Sequence, residues 1–89
     1  MIEYELKPIY SREKSFYRKA IVEIEGDKKT LYSYNTKVAV IEGEKAIVVN
    51  IYSATTLRHI KEFLRQNGFE AESKKQIEKD YMRWEKWKI

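Results

Sequence analysis

The chain has 89 residues, no cysteine, 43% hydrophobic and 36% charged side chains, and a net charge of +4. That length allows one domain with one modest core, and the apolar share is that of a folded rather than a disordered chain. Without cysteine there is no disulfide framework, which fits a reducing compartment. No apolar run approaches the length of about 18 residues that a membrane span requires, and the start, Met1-Ile2-Glu3-Tyr4-Glu5, has neither the basic region nor the apolar stretch of a signal peptide. The expected location is the cytoplasm.

From the start of the chain, Ile2-Glu3-Tyr4-Glu5-Leu6 alternates apolar and acidic, the pattern of a short half-buried strand. Pro8 ends it, having no N–H for a ladder. Tyr10 to Lys19 follows with a net charge of +3 and three aromatics, Tyr10, Phe16 and Tyr17, among its cations. Such interleaving can stack bases and hold phosphates; the simpler alternative is a loop whose aromatics anchor it to a sheet. Ala20 to Glu25 reads as a second strand, and Gly26-Asp27 supplies turn chemistry. Thr30 to Tyr34 reads as a third strand with Tyr32 and Tyr34 on one face, and Asn35-Thr36 as a turn or bulge within it. Val38 to Ile41 is continuously apolar. Glu42-Gly43-Glu44 makes a tight connection, and Ala46 to Ile51, apolar on both parities, has the pattern of a central strand covered on both faces.

Two amphipathic helices are expected next. Ser53, Thr55 and Thr56 are all competent N-caps, and the sequence does not choose between them. Leu57, Ile60, Phe63 and Leu64 form the apolar stripe of a helix over residues 54–67. Gly68 suits a left-handed helix stop, after which Phe69 folds back on the last turn. The opposite side carries Arg58, Lys61 and Arg65, with Glu62 four residues after Arg58 and able to neutralise it in part. These cations form either a stripe for phosphate or an acidic partner, or an ordinary solvated face. Ser73-Lys74-Lys75-Gln76 has capping-box spacing and opens a second helix. Ile77, Tyr81 and Trp84 form its packing stripe, with Met82 and Ile89 beside it. Lys75, Lys79, Arg83 and Lys86 lie opposite, in a row of like-charged neighbours that opposes its own helix. Trp87 falls off the stripe.

The fold expected is thus α+β: an antiparallel meander of four to five strands in residues 1–52, then two C-terminal helices in residues 53–89. The first part carries nine basic and eight acidic side chains, the second nine and six, so most of the excess charge lies in the helical part. Chemistry-bearing motifs are missing. Gly26, Gly43 and Gly68 are scattered rather than gathered into a phosphate loop, and there is no nucleophile elbow, zinc helix or cysteine pair. His59 is the only histidine and forms no metal site alone. No cofactor is expected, and an enzyme is disfavoured.

Two segments, Tyr32-Ser33-Tyr34-Asn35-Thr36-Lys37-Val38-Ala39 and Tyr52-Ser53-Ala54-Thr55-Thr56-Leu57-Arg58-His59-Ile60-Lys61-Glu62-Phe63-Leu64, resemble small, largely uncharacterised proteins of phages, plasmids and other mobile elements, mainly of Firmicutes. Their recurring pattern is a Tyr-Ser-Tyr-x-Thr strand and a Tyr-Ser-x-Thr-Thr-x-x-His-Ile-x-x-Phe-Leu helix start. The resemblance covers residues 31–69 and implies a mobile-element accessory protein. It singles out Tyr34, Thr36, Thr55, Thr56, Arg58 and His59, either as a site or as a fold-defining contact in which His59 bonds back to the Tyr-Ser-Tyr strand. The leading expectation is a non-catalytic module that binds nucleic acid through Arg58, Lys61, Arg65, Lys75, Lys79, Arg83 and Lys86. The alternative is an effector that binds a host protein through its tryptophans or tyrosines. A homodimer remains open.

Overall fold

A computed structural model describes residues 2–82. Five strands, β1 (Ile2–Glu5), β2 (Ala20–Glu25), β3 (Lys28–Ser33), β4 (Thr36–Glu42) and β5 (Lys45–Val48), form one antiparallel meander in sequence order. Two helices follow, α1 (Ala54–Gln66) and α2 (Lys74–Tyr81), so the α+β architecture is as the sequence predicts. The expected stripe residues Trp84 and Ile89, the off-stripe Trp87, and the cations Arg83 and Lys86 lie outside the described residues.

The three hairpins each close through two residues. Gly26 and Gly43 take the first central position of their turns with φ of 64° and 62°, the left-handed geometry that matches strand twist. The third turn corrects the sequence reading. Ser33 pairs with Thr36, so Tyr34 and Asn35 are the turn, both left-handed at φ 52° and 68°. Tyr34 therefore does not share a strand face with Tyr32. A bulge does occur, but further on: Tyr32 pairs with Lys37 and Leu31 with Ala39, which leaves Val38 as the extra residue.

Alternation along the strands places Val22, Leu31, Ala39 and Val48 on one face. All four are fully buried, together with Leu6, Ile60, Phe63, Leu64 and Ile77. Burying each large aliphatic or aromatic side chain here contributes about 1.5–3 kcal/mol. α1 lies over β3 and β4, and α2 against β5. The segment read as a central strand is instead the short edge strand β5. Its double apolar parity has a different cause. Ala46 and Val48 face the helices, while Ile47 turns to the other side of the sheet, where it is half-buried.

Both helices are bounded as their sequences suggest. Ser53 is the cap of α1, its Oγ accepting from Thr56 N–H at 3.1 Å. At the far end Gly68 (φ 84°) donates to Arg65 O, and Phe69 N–H reaches back to Leu64 O at 2.9 Å. That pair of bonds is the Schellman closure. Ser73 caps α2 by accepting from Gln76 N–H, and Gln76 Oε1 in turn accepts from Glu72 N–H, one residue before the cap. Tyr81 lies edge-on to Phe69 and donates its hydroxyl to Glu70 O at 2.7 Å.

Candidate functional site

Residues 7–19 connect β1 to β2 and hold no regular element. They run along α1 in the opposite direction, fixed at four levels. Gln66 Nε2 donates to Lys7 O at 2.6 Å. Glu62 accepts from Ile9 N–H at 2.7 Å and from Tyr10 N–H at 3.0 Å. Glu13 pairs with Arg58 at 3.5 Å. Phe16 packs edge-on to His59, ring centroids 4.6 Å apart. This arrangement corrects the role expected of Glu62. It is only 2% exposed and turned inward to backbone donors, because two N–H groups of an irregular loop need an acceptor and a carboxylate can serve both. Arg58 finds its partner in the loop instead, on Glu13.

His59 is buried, with 1% of its surface exposed. Its Nδ1 lies 2.8 Å from Ser33 Oγ, which also meets Thr56 Oγ1 at 3.2 Å, and the Ser53 hydroxyl donates to Thr56 Oγ1 at 3.3 Å. A chain of hydroxyls thus joins the cap of α1 to the end of β3. The bond from His59 back to the Tyr-Ser-Tyr segment is a contact that ties helix to sheet. Burial pushes the imidazole below its ordinary value of 6.5, with Glu13 opposing and Arg58 reinforcing the shift. A serine beside a histidine is also the start of a nucleophilic dyad, but Ser33 is 2% exposed and already shared with Thr56. Its Oγ is held within the contact between α1 and β3. Tyr34 lies over the same region, its ring centroid 5.9 Å from that of His59. Thr36 pairs with Ser33 across the turn, and Thr55 sits half-buried in the first turn of α1. Among the described residues no group of three or more His, Asp or Glu side chains could hold a metal ion.

The outer side of α1 is where cations gather. Arg58, Lys61 and Arg65 line a shallow depression of about 190 Å³ with Tyr10, Ser11 and Glu62. The loop that runs along it carries Lys7, Arg12, Lys14, Arg18 and Lys19, of which Arg18 lines a separate depression with Glu3, Tyr4, Glu5 and Ile21. Residues 7–19 and 54–66 together hold eight basic and two acidic side chains, a net +6 against +4 for the whole chain. The remainder of the protein is therefore net acidic, and the excess positive charge belongs to the loop and the helix it runs along. The loop and the helix fall in different halves of the sequence, so only folding brings the two segments together. Tyr10 and Tyr17 are 58% and 71% exposed, whereas Phe16 is buried. The aromatics of the loop thus divide between the two roles weighed from sequence: Phe16 anchors, and the tyrosines face solvent.

Lys75 and Lys79 are exposed on α2, whose sheet contacts are to β5 rather than to β3 and β4. The α1 row and the described part of the second row, Lys75 and Lys79, thus belong to helices packed on different strands. No described helix is long and apolar enough to cross a membrane.

No curated protein and no solved structure matches this chain. A family profile does match, over residues 4–79. That span takes in the second half of β1, the whole loop–α1 surface and all but the last two residues of α2. The chain therefore belongs to the family of unknown function DUF8033.

Proposed function

We propose that this protein is a non-catalytic module of a phage or other mobile element that holds nucleic acid along the α1–loop face, in the cytoplasm of the host. The observation that carries the proposal is the +6 charge of residues 7–19 and 54–66, gathered by folding from two distant segments. Both acids within it are already engaged, Glu62 by backbone donors and Glu13 by Arg58. Cations in such a row contact phosphates, which position a strand without reading its sequence. Exposed tyrosines among them supply the apolar part of a nucleic-acid surface.

Binding is expected to be sequence-tolerant and to weaken steeply with salt. For four phosphate contacts, log K falls against log salt with a slope of about −3. The test is a salt titration of labelled DNA and RNA against the native chain, an Arg58→Ala/Lys61→Ala/Arg65→Ala variant and a Lys75→Ala/Lys79→Ala variant. The α1 variant should lose most of the affinity and flatten the slope, and the α2 variant should lose less. Salt-insensitive binding, or none at low salt, would sink the proposal.

One observation favours the second reading, an effector that binds a host protein. The sheet face turned away from the helices carries Ile21, Tyr32, Val40 and Ile47, all half-buried, with no described helix packed on it. A protein partner or a second copy of the chain would cover that face, and binding there would survive nuclease and high salt.

A further inference from the structure

We infer that the nucleic acid taken by this face is single-stranded, with unpaired bases stacked on Tyr17 and Tyr34 while the phosphates follow Arg58, Lys61 and Arg65; this rests on the nucleic-acid proposal above.

Four non-glycine residues among those described have positive φ, and they come as two adjacent pairs: Tyr17 and Arg18 at 52° and 64°, Tyr34 and Asn35 at 52° and 68°. Each pair is the centre of a tight turn. Lys19 N–H donates to Phe16 O at 2.9 Å around the first, and Ser33 pairs with Thr36 around the second. Two consecutive left-handed residues make a type I′ turn, for which Asn and Gly are the favoured residues. Tyrosine is a poor choice there, since a side chain crowds the backbone in that conformation. Burial does not offset the strain, because Tyr17 is 71% and Tyr34 49% exposed. Local strain that packing does not explain points to a use for the side chain.

The two turns belong to one surface. Tyr34 N–H donates to Lys19 O at 2.8 Å, which joins the second turn to the residue that closes the first. Phe16 and Tyr34 both lie against the His59 ring, and His59 is the neighbour of Arg58. Tyr34 thus stands at the N-terminal end of the cation row, with Tyr17 in the adjoining turn. The Lys19 ammonium sits 5.2 Å from the Tyr34 ring centroid. An exposed cation–π contact is weak, so an incoming base can displace it and leave Lys19 to meet the phosphate.

A rigid ring flanked by cations suits a base whose face is free. In a duplex every base is already stacked on its neighbours, so the tyrosines have nothing to cover. In a single strand each base offers a π-face, and stacking is tolerant of sequence.

The test compares a labelled single-stranded oligonucleotide with a hairpin duplex of matched length, using the native chain and the variants Tyr17→Asn and Tyr34→Asn. Asparagine is at ease in the left-handed region, so each variant keeps its turn and removes the ring. The native chain should bind the single strand at least about tenfold tighter, and each variant should lose about tenfold of that affinity. Duplex binding and the salt slope should stay as they were, and melting temperatures should be unchanged or higher. A structural role for the rings would instead lower the melting temperature and leave the preference for single strands intact. Equal binding of single strand and duplex by the native chain overturns the inference and leaves the nucleic-acid proposal standing. So does undiminished single-strand binding by folded variants. Absence of binding to both at low salt overturns the two together. The native comparison needs no variant to fold.

Discussion

Replacing Glu62 with glutamine tests whether one buried carboxylate holds the loop on the helix. The carboxylate accepts two backbone N–H bonds, from Ile9 at 2.7 Å and from Tyr10 at 3.0 Å. Hydrogen bonds to a charged acceptor contribute about 1.5–3 kcal/mol each. Ile9 and Tyr10 are 69% and 58% exposed, so water can reach their amides once the loop lifts, and the lower bound applies. Complete loss in Glu62→Ala should therefore cost about 3 kcal/mol. Glutamine can keep one bond as a neutral one but turns an amide donor toward the other N–H, which should cost about 2 kcal/mol. In a domain of this size that is a fall of roughly 10 °C in melting temperature. The loss should also be local first, because these bonds fasten a loop and not a strand. Urea unfolding would give the magnitude, and amide hydrogen exchange would give the place, with the Ile9 and Tyr10 amides accelerating more than those of β2 and β3. An unchanged urea midpoint together with native protection at Ile9 and Tyr10 would refute the reasoning, since the carboxylate would then not be holding the loop.

Two further outcomes concern the buried histidine. Burial lowers its folded pKa below the ordinary 6.5, so between the two values the unfolded chain binds more protons and stability rises with pH. The contribution should be fully present above 6.5 and lost as pH falls through 6.5 toward the folded value, and a His59→Gln chain should lack this component in urea midpoints measured across that range. Ser33→Ala removes the partner of His59 Nδ1 and one neighbour of Thr56 Oγ1, at about 1–3 kcal/mol. Combined with His59→Phe, the total should fall short of the sum of the single changes by about 1 kcal/mol in a double-mutant cycle; strict additivity would mean that the 2.8 Å contact is energetically silent.

The elements that were legible in the sequence are those whose signals are local. Gly68 ends α1, Ser73 opens α2, and the stripe of Ile60, Phe63 and Leu64 reaches the core as its spacing requires, while of the three candidate caps of α1 the structure takes Ser53. The misreadings arise where a residue type gives no local sign of its partner. Tyr34 has strand propensity, and only the Ser33–Thr36 pairing reveals it as a turn. β5 has the composition of a central strand because Ile47 is apolar, yet among the described residues no later strand pairs beside it. Glu62 stands four residues from Arg58, the spacing of a helical ion pair, but besides Gln66 its partners are backbone N–H groups more than fifty residues away in sequence. The loop's mixture of cations and aromatics was visible from the start. Which ring would anchor and which would face solvent depended on where His59 lay.

These departures from local rule are not scattered. Tyr17 and Arg18, Tyr34 and Asn35, the buried Glu62 and the buried His59 all belong to the loop, the β3–β4 turn or the face of α1 they touch. Elsewhere the cap and the buried Ile77 of α2 follow pattern, although its like-charged pair Lys75 and Lys79 runs against helix preference. A chain selected for stability alone would place Asn or Gly at the two left-handed tyrosines. Local and global preferences tend to disagree where a protein has a task to perform. Here the disagreement coincides with the concentration of positive charge, although strain and charge are independent properties of these residues. Their coincidence on one surface is the reason to look for a ligand there and not on the cationic row of α2.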